Sequence, residues 1–142
     1  MSVAPVVRSV EIDRAPEHVF PLLVEPDSLR LWWPDVAELE PRVGGRIRME
    51  FQQRQSVVVG EVTRYEPPNA IAFTWIRNER PDIATLVELT VTGLRGDRCR
   101  VDVVHSGWEQ VPEWQPLHDA GWGHFLSCLA ALAEGRPFDK SY

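Results

Sequence analysis

A chain of 142 residues with 44% hydrophobic and 25% charged residues has the make-up of one folded domain, large enough to bury a core without disulfide or metal staples, and disordered or fibrous classes are excluded. The formal net charge is −6 and the arginines are scattered rather than gathered into a stripe, which argues against a nucleic-acid partner. No stretch approaches the ~20 apolar residues of a membrane span, and the N-terminus lacks the basic and apolar regions of a signal peptide. A single cytoplasmic domain over residues 1–142, with no membrane insertion, is therefore the expectation.

Val6 to Ile12 mixes β-branched and charged residues as a first strand does. Asp13-Arg14-Ala15-Pro16-Glu17 then predicts a helix start, with Asp13 as the cap and Pro16 in the first turn, and Val19, Phe20, Leu22 and Leu23 continue it. Pro26 ends that helix, and Asp27 caps a short second one that carries Leu29, Leu31 and Trp32. After Trp33-Pro34 the period changes to two. Strands are predicted at Val36 to Glu40, Arg46 to Gln52, Val57 to Tyr65, Ala70 to Trp75, Thr85 to Val91 and Cys99 to Val104. Turn residues separate them, at Gly44-Gly45, Glu66-Pro67-Pro68-Asn69 and Gly93-Leu94-Arg95-Gly96-Asp97. The tripeptide Arg95-Gly96-Asp97 reads as a hairpin turn and nothing more. From Glu113 the spacing returns to helical through Trp114, Leu117, Gly121, Trp122, Phe125, Leu126, Leu129 and Leu132, and Gly135 stops it.

These elements predict an α+β architecture. A curved antiparallel sheet of six or seven strands wraps a long C-terminal helix, with two short helices after the first strand. Alternation turns Ile47, Met49 and Phe51, then Ile71, Phe73 and Trp75, then Val87, Leu89 and Val91, then Val101, Val103 and His105 toward that helix. Glu88 falls on the outer face with Leu86 and Thr90.

Several ordered pieces together resemble a known family. They are Ile12-Asp13-Arg14-Ala15-Pro16-Glu17-His18-Val19-Phe20, Trp32-Trp33-Pro34, Arg42-Val43-Gly44-Gly45-Arg46, Gly60-Glu61-Val62 leading to Glu66-Pro67-Pro68, Thr74-Trp75, His105-Ser106-Gly107-Trp108 and Gly121-Trp122. The chain is similar to the START-like, SRPBCC superfamily and, within it, to homologues of the C-terminal domain of the heat-shock protein 90 ATPase activator. The resemblance implies a helix-grip fold with a deep cavity between sheet and C-terminal helix, which in relatives holds lipids, polyketides or other apolar molecules.

Six tryptophans spread along the chain, most beside a turn or an element end, fit such a cavity wall. The candidate ligand contacts are Trp32, Trp33, Phe51, Phe73, Trp75, His105, Trp108, Trp122 and Phe125, with Trp75 and Trp122 foremost because they sit on facing elements. The leading reading is a binder of a small, largely apolar molecule, with no cofactor. An enzyme of the cyclase or hydrolase kind, with His105 as general acid or base, is the second reading. A chaperone cofactor or protein-interaction module, with a homodimer among the options, is the third. No triad forms around His105, because Ser106 points to the opposite face. His124 and Cys128, with His118 beyond them, are too few for a metal centre, so no metal is expected. Cys99 and Cys128, the only cysteines, read as small buried apolar residues.

Overall fold

The computed structural model describes residues 2–142. Its elements run β1 (Val6–Ile12), α1 (Pro16–Val24), α2 (Pro26–Trp32), β2 (Val36–Leu39), β3 (Arg46–Phe51), β4 (Ser56–Glu66), β5 (Ala70–Arg77), β6 (Thr85–Leu94), β7 (Arg98–Ser106) and α3 (Trp114–Glu134), with a 3-10 turn at Gln52–Arg54. The strands form one antiparallel sheet in the order β1-β7-β6-β5-β4-β3-β2. Strands β2 to β7 are a meander, so only the connection through α1 and α2 crosses the sheet, carrying the chain from one edge to the other. The curved sheet and α3 make the helix-grip arrangement, with seven strands and two short helices after the first.

Alternation becomes burial. In β6 Thr85, Val87, Leu89 and Val91 are buried while Leu86, Glu88 and Thr90 are half-buried, and in β7 Cys99, Val101, Val103 and His105 are buried. The register places Val87 opposite both Phe73 and His105, so the inward faces of three strands form one apolar surface. Leu126, Cys128, Leu129, Ala130 and Ala133 of α3 pack into the same core. Each large side chain so buried contributes ~1.5–3 kcal/mol relative to exposure.

Two local features bend the frame into shape. Gly60 of β4 lies so close to β5 that a Cβ there would stand 1.8 Å from the Thr74 carbonyl oxygen, and β4 shifts register between Val62 and Arg64. Close approach and a bulge together sharpen the twist of a strand pair. At the far end of the molecule Gly135 adopts φ 72° and closes α3, as the sequence predicts. The turn between β6 and β7 has positive φ at both Gly96 and Asp97, which accounts for the tripeptide there as hairpin chemistry.

The helix starts differ from expectation. Neither Asp13 nor Asp27 caps a helix through its side chain: Ala15 precedes α1, Glu25 precedes α2, and each helix opens on a proline. Pro26 therefore begins α2 as much as it ends α1, because proline lacks only an N–H that a first helical turn leaves unpaired anyway. The Asp13 backbone N–H instead donates to Glu134 Oε2 at 2.8 Å, tying the β1 end to the α3 end. Strands β4 to β7 run past the predicted limits, β5 to Arg77 and β7 to Ser106.

Candidate functional site

Trp33 follows the last turn of α2, and its ring enters the space between sheet and helix. It stacks on Trp75 of β5 with centroids 5.4 Å apart and planes at 8°, and meets Trp122 of α3 at 4.8 Å and 45°. Trp75 and Trp122 are thus separated by a third indole rather than facing each other across the cavity. Phe51, at the end of β3, lies 6.1 Å from Trp75 and 6.4 Å from Phe125.

These five aromatic residues, with Ser56, Val58, Leu117 and Gly121, border a cleft of about 140 Å³ between β3, β4, β5 and α3. Arg54, Arg77, His118 and Tyr142 complete its lining. Leu117, 60% exposed, marks the mouth. The remaining four candidates lie behind this wall. Trp32 is fully buried against the far side of Trp33 and donates its indole N–H to the Leu22 carbonyl at 2.8 Å. Phe73 is fully buried beneath Trp33 and Trp75. Trp108 is fully buried and donates to the His105 carbonyl at 2.8 Å.

His105 is 0% exposed, and both ring nitrogens are engaged. Trp122 Nε1–H donates to Nδ1 at 3.1 Å, and an indole can only donate, so Nδ1 carries the lone pair and Nε2 the proton. Nε2–H then donates to Thr85 Oγ1 at 2.8 Å, and the Thr85 hydroxyl donates to the Trp75 carbonyl at 3.2 Å. This chain fixes one neutral tautomer. Burial, seconded by His118, holds the His105 pKa well below the usual imidazole value. The ring has no free nitrogen with which to take a substrate proton, and its evident work is to fix Trp122 against the sheet.

His118, one helical turn before Trp122, lies on the cleft itself. Its Nδ1–H donates to the Trp114 carbonyl at 2.9 Å, and its ring packs against Trp108 and His105 at 4.7 and 5.3 Å. Burial lowers its pKa to about 4, with the Arg77 and Arg54 charges adding to the depression. A neutral His118 keeps Nε2 as an acceptor. The sequence signal for it was the spacing Trp114, His118, Trp122, three residues on one helix face.

The cleft mouth is cationic. Arg77 Nε donates to Glu79 Oε2 at 2.7 Å while its guanidinium covers the Trp114 ring at 4.6 Å. Arg54 stands 4.4 Å over the Tyr142 ring, and among the described residues no carboxylate pairs with it. Tyr142 also stacks on His124 at 5.0 Å, and Lys140 ties the tail down by donating to the Arg30 and Pro34 carbonyls at 2.6 and 3.0 Å.

Trp75 differs from the other buried indoles. Its Nε1–H is the one buried side-chain polar group without a hydrogen-bond partner among the described residues, in a side chain only 6% exposed.

His124 Nε2 lies 3.6 Å from Cys128 Sγ and 3.1 Å from the Lys140 carbonyl, while His118 turns away to His105. Burial raises the Cys128 thiol pKa. Among the described residues no three His, Cys, Asp or Glu side chains converge as a metal site would require, and no helix is long and apolar enough to cross a membrane.

The chain is matched over residues 13–134 by a family model, that of the activator of Hsp90 ATPase homolog 1-like proteins. The chain belongs to that family. No curated protein is significantly similar to it in sequence. Among solved structures it is similar to DynU16, a protein from the dynemicin biosynthetic locus, with 22% identity and a TM-score of 0.83; the likeness covers 97% of this chain but only 49% of DynU16. It is also similar to MLL2253 from Mesorhizobium loti, with 22% identity, a TM-score of 0.80 and coverage of 93% and 99%. The Aha1 dimer from Colwellia psychrerythraea is 20% identical with a TM-score of 0.79, over 93% of this chain and 97% of that one. Identities this low establish the shared fold and no more.

Proposed function

We propose that the protein binds a small, largely apolar molecule in the cleft between sheet and α3. Trp33, Phe51, Trp75, Trp122 and Phe125 make contact, and Trp32, Phe73, His105 and Trp108 hold those rings in place. The observation that carries this reading is the unpartnered Trp75 N–H. A buried donor left without an acceptor costs ~1–3 kcal/mol, and a ligand oxygen delivered beside an aromatic wall removes that cost. Reaching it requires the ligand to displace one of the rings that enclose it.

The test compares 2-acetylnaphthalene, which carries an acceptor, with naphthalene, which does not. Trp75→Phe keeps an aromatic wall and deletes the donor, so the ketone should lose about three- to tenfold in affinity, the worth of one neutral hydrogen bond, while naphthalene binding changes far less. If wild-type protein bound neither compound, the cleft would not be a ligand site.

The Aha1 from Colwellia psychrerythraea is described as a dimer, and a homodimer of this chain rests on that likeness. Sedimentation reads it directly: twice the 16.2 kDa chain mass supports the dimer, and the single mass removes it.

A further inference from the structure

Among the described residues the cleft is lined by two guanidinium groups and no Asp or Glu side chain, in a chain whose net charge is −6. Glu79, beside this lining, is occupied twice, by Arg77 Nε at 2.7 Å and by the Ser56 hydroxyl at 3.3 Å. Arg54 has only the face of Tyr142 at 4.4 Å, a weak partner that a carboxylate would outcompete. Behind this mouth the wall is built of aromatic rings, three of them indoles, packed on one another at 4.8 to 6.1 Å, so that a flat guest meets their cleft-facing surfaces. We propose that the ligand is a planar aromatic carboxylic acid, its ring system laid in the cleft against the aromatic wall and its carboxylate held at the mouth by Arg54. Arg77 is paired with Glu79 and stacked on Trp114, which leaves Arg54 as the cation open to the guest. Burial, with the two arginines adding, keeps His118 neutral, so its ring puts no second cation or anion in competition inside the cleft.

This inference rests on the cleft being a ligand site, and the experiment separates the two. Binding of 2-naphthoate and of its neutral isostere 2-naphthamide is measured by the displacement of the Trp75 indole N–H resonance, assigned through Trp75→Phe. The acid should bind about fivefold more tightly than the amide, the size of one charge-assisted contact at an exposed rim, and the preference should shrink as salt is raised. Arg54→Gln should abolish the preference, so that acid and amide bind alike, and its urea midpoint shows that the variant is folded. Equal affinity of wild-type protein for both compounds overturns the carboxylate and leaves the cleft standing as an apolar site. A preference that survives Arg54→Gln overturns the role of Arg54. Binding of neither compound overturns both readings.

Discussion

His105 and His118 show how one residue type takes two parts according to what its nitrogens touch. Both are held neutral by burial, His118 with its pKa near 4. An imidazole whose folded pKa lies below its unfolded value of 6.5 leaves the unfolded chain holding the extra proton between those values. The stability it contributes is complete above the unfolded pKa and is lost as pH falls toward the folded one. For His118 the loss amounts to about 3 kcal/mol, and His105 acts in the same direction. Urea unfolding measured from about pH 7 to about pH 4.5 should show falling stability with up to two protons taken up on unfolding, and His118→Phe should remove one of them. A flat profile would mean that both rings titrate normally in the folded protein. Alternation along β7 was enough to point His105 inward. That it is saturated by Trp122 and Thr85 came from two other elements, α3 and β6, and no local pattern could reveal it.

At the scale of elements, the strands were legible because inward and outward residues alternate so regularly, from Ile47 and Met49 in β3 to Val101 and Val103 in β7. Helix caps were less so, since Asp13 and Asp27 have the right chemistry one position or more from where the chain turns, and prolines decide the turn instead. The β4–β5 contact at Gly60 is an element-level device: Gly60→Ala would drive a methyl group into the Thr74 backbone, where no side chain can yield. Its expected cost is about 1–3 kcal/mol, the range for overpacking, read as a lowered urea midpoint. A midpoint equal to that of the wild type would show that the two strands do not approach this closely.

For the whole molecule, the proposed ligand has its site only in the folded state, so the proposal links binding to global stability. At a concentration a hundred times its Kd, 2-naphthoate should add about 2.7 kcal/mol to the unfolding free energy, measured as a rise in Tm. A Tm indifferent to saturating ligand would place the binding outside the folded cleft. The sequence by itself determined the element order and the inward faces, because period, turn residues and glycine stops are local properties written along the chain, and its ordered motifs carried the resemblance that implied the helix-grip class and the family. The tertiary structure alone decided which aromatic rings border the cleft, placing Trp33 between Trp75 and Trp122 while Trp32, its neighbour, faces the core. It also brought Arg54, Arg77, His118 and Tyr142 to one mouth from four separate segments. Residues so far apart in sequence meet only because the sheet curls around α3, and no spacing along the chain encodes that distance.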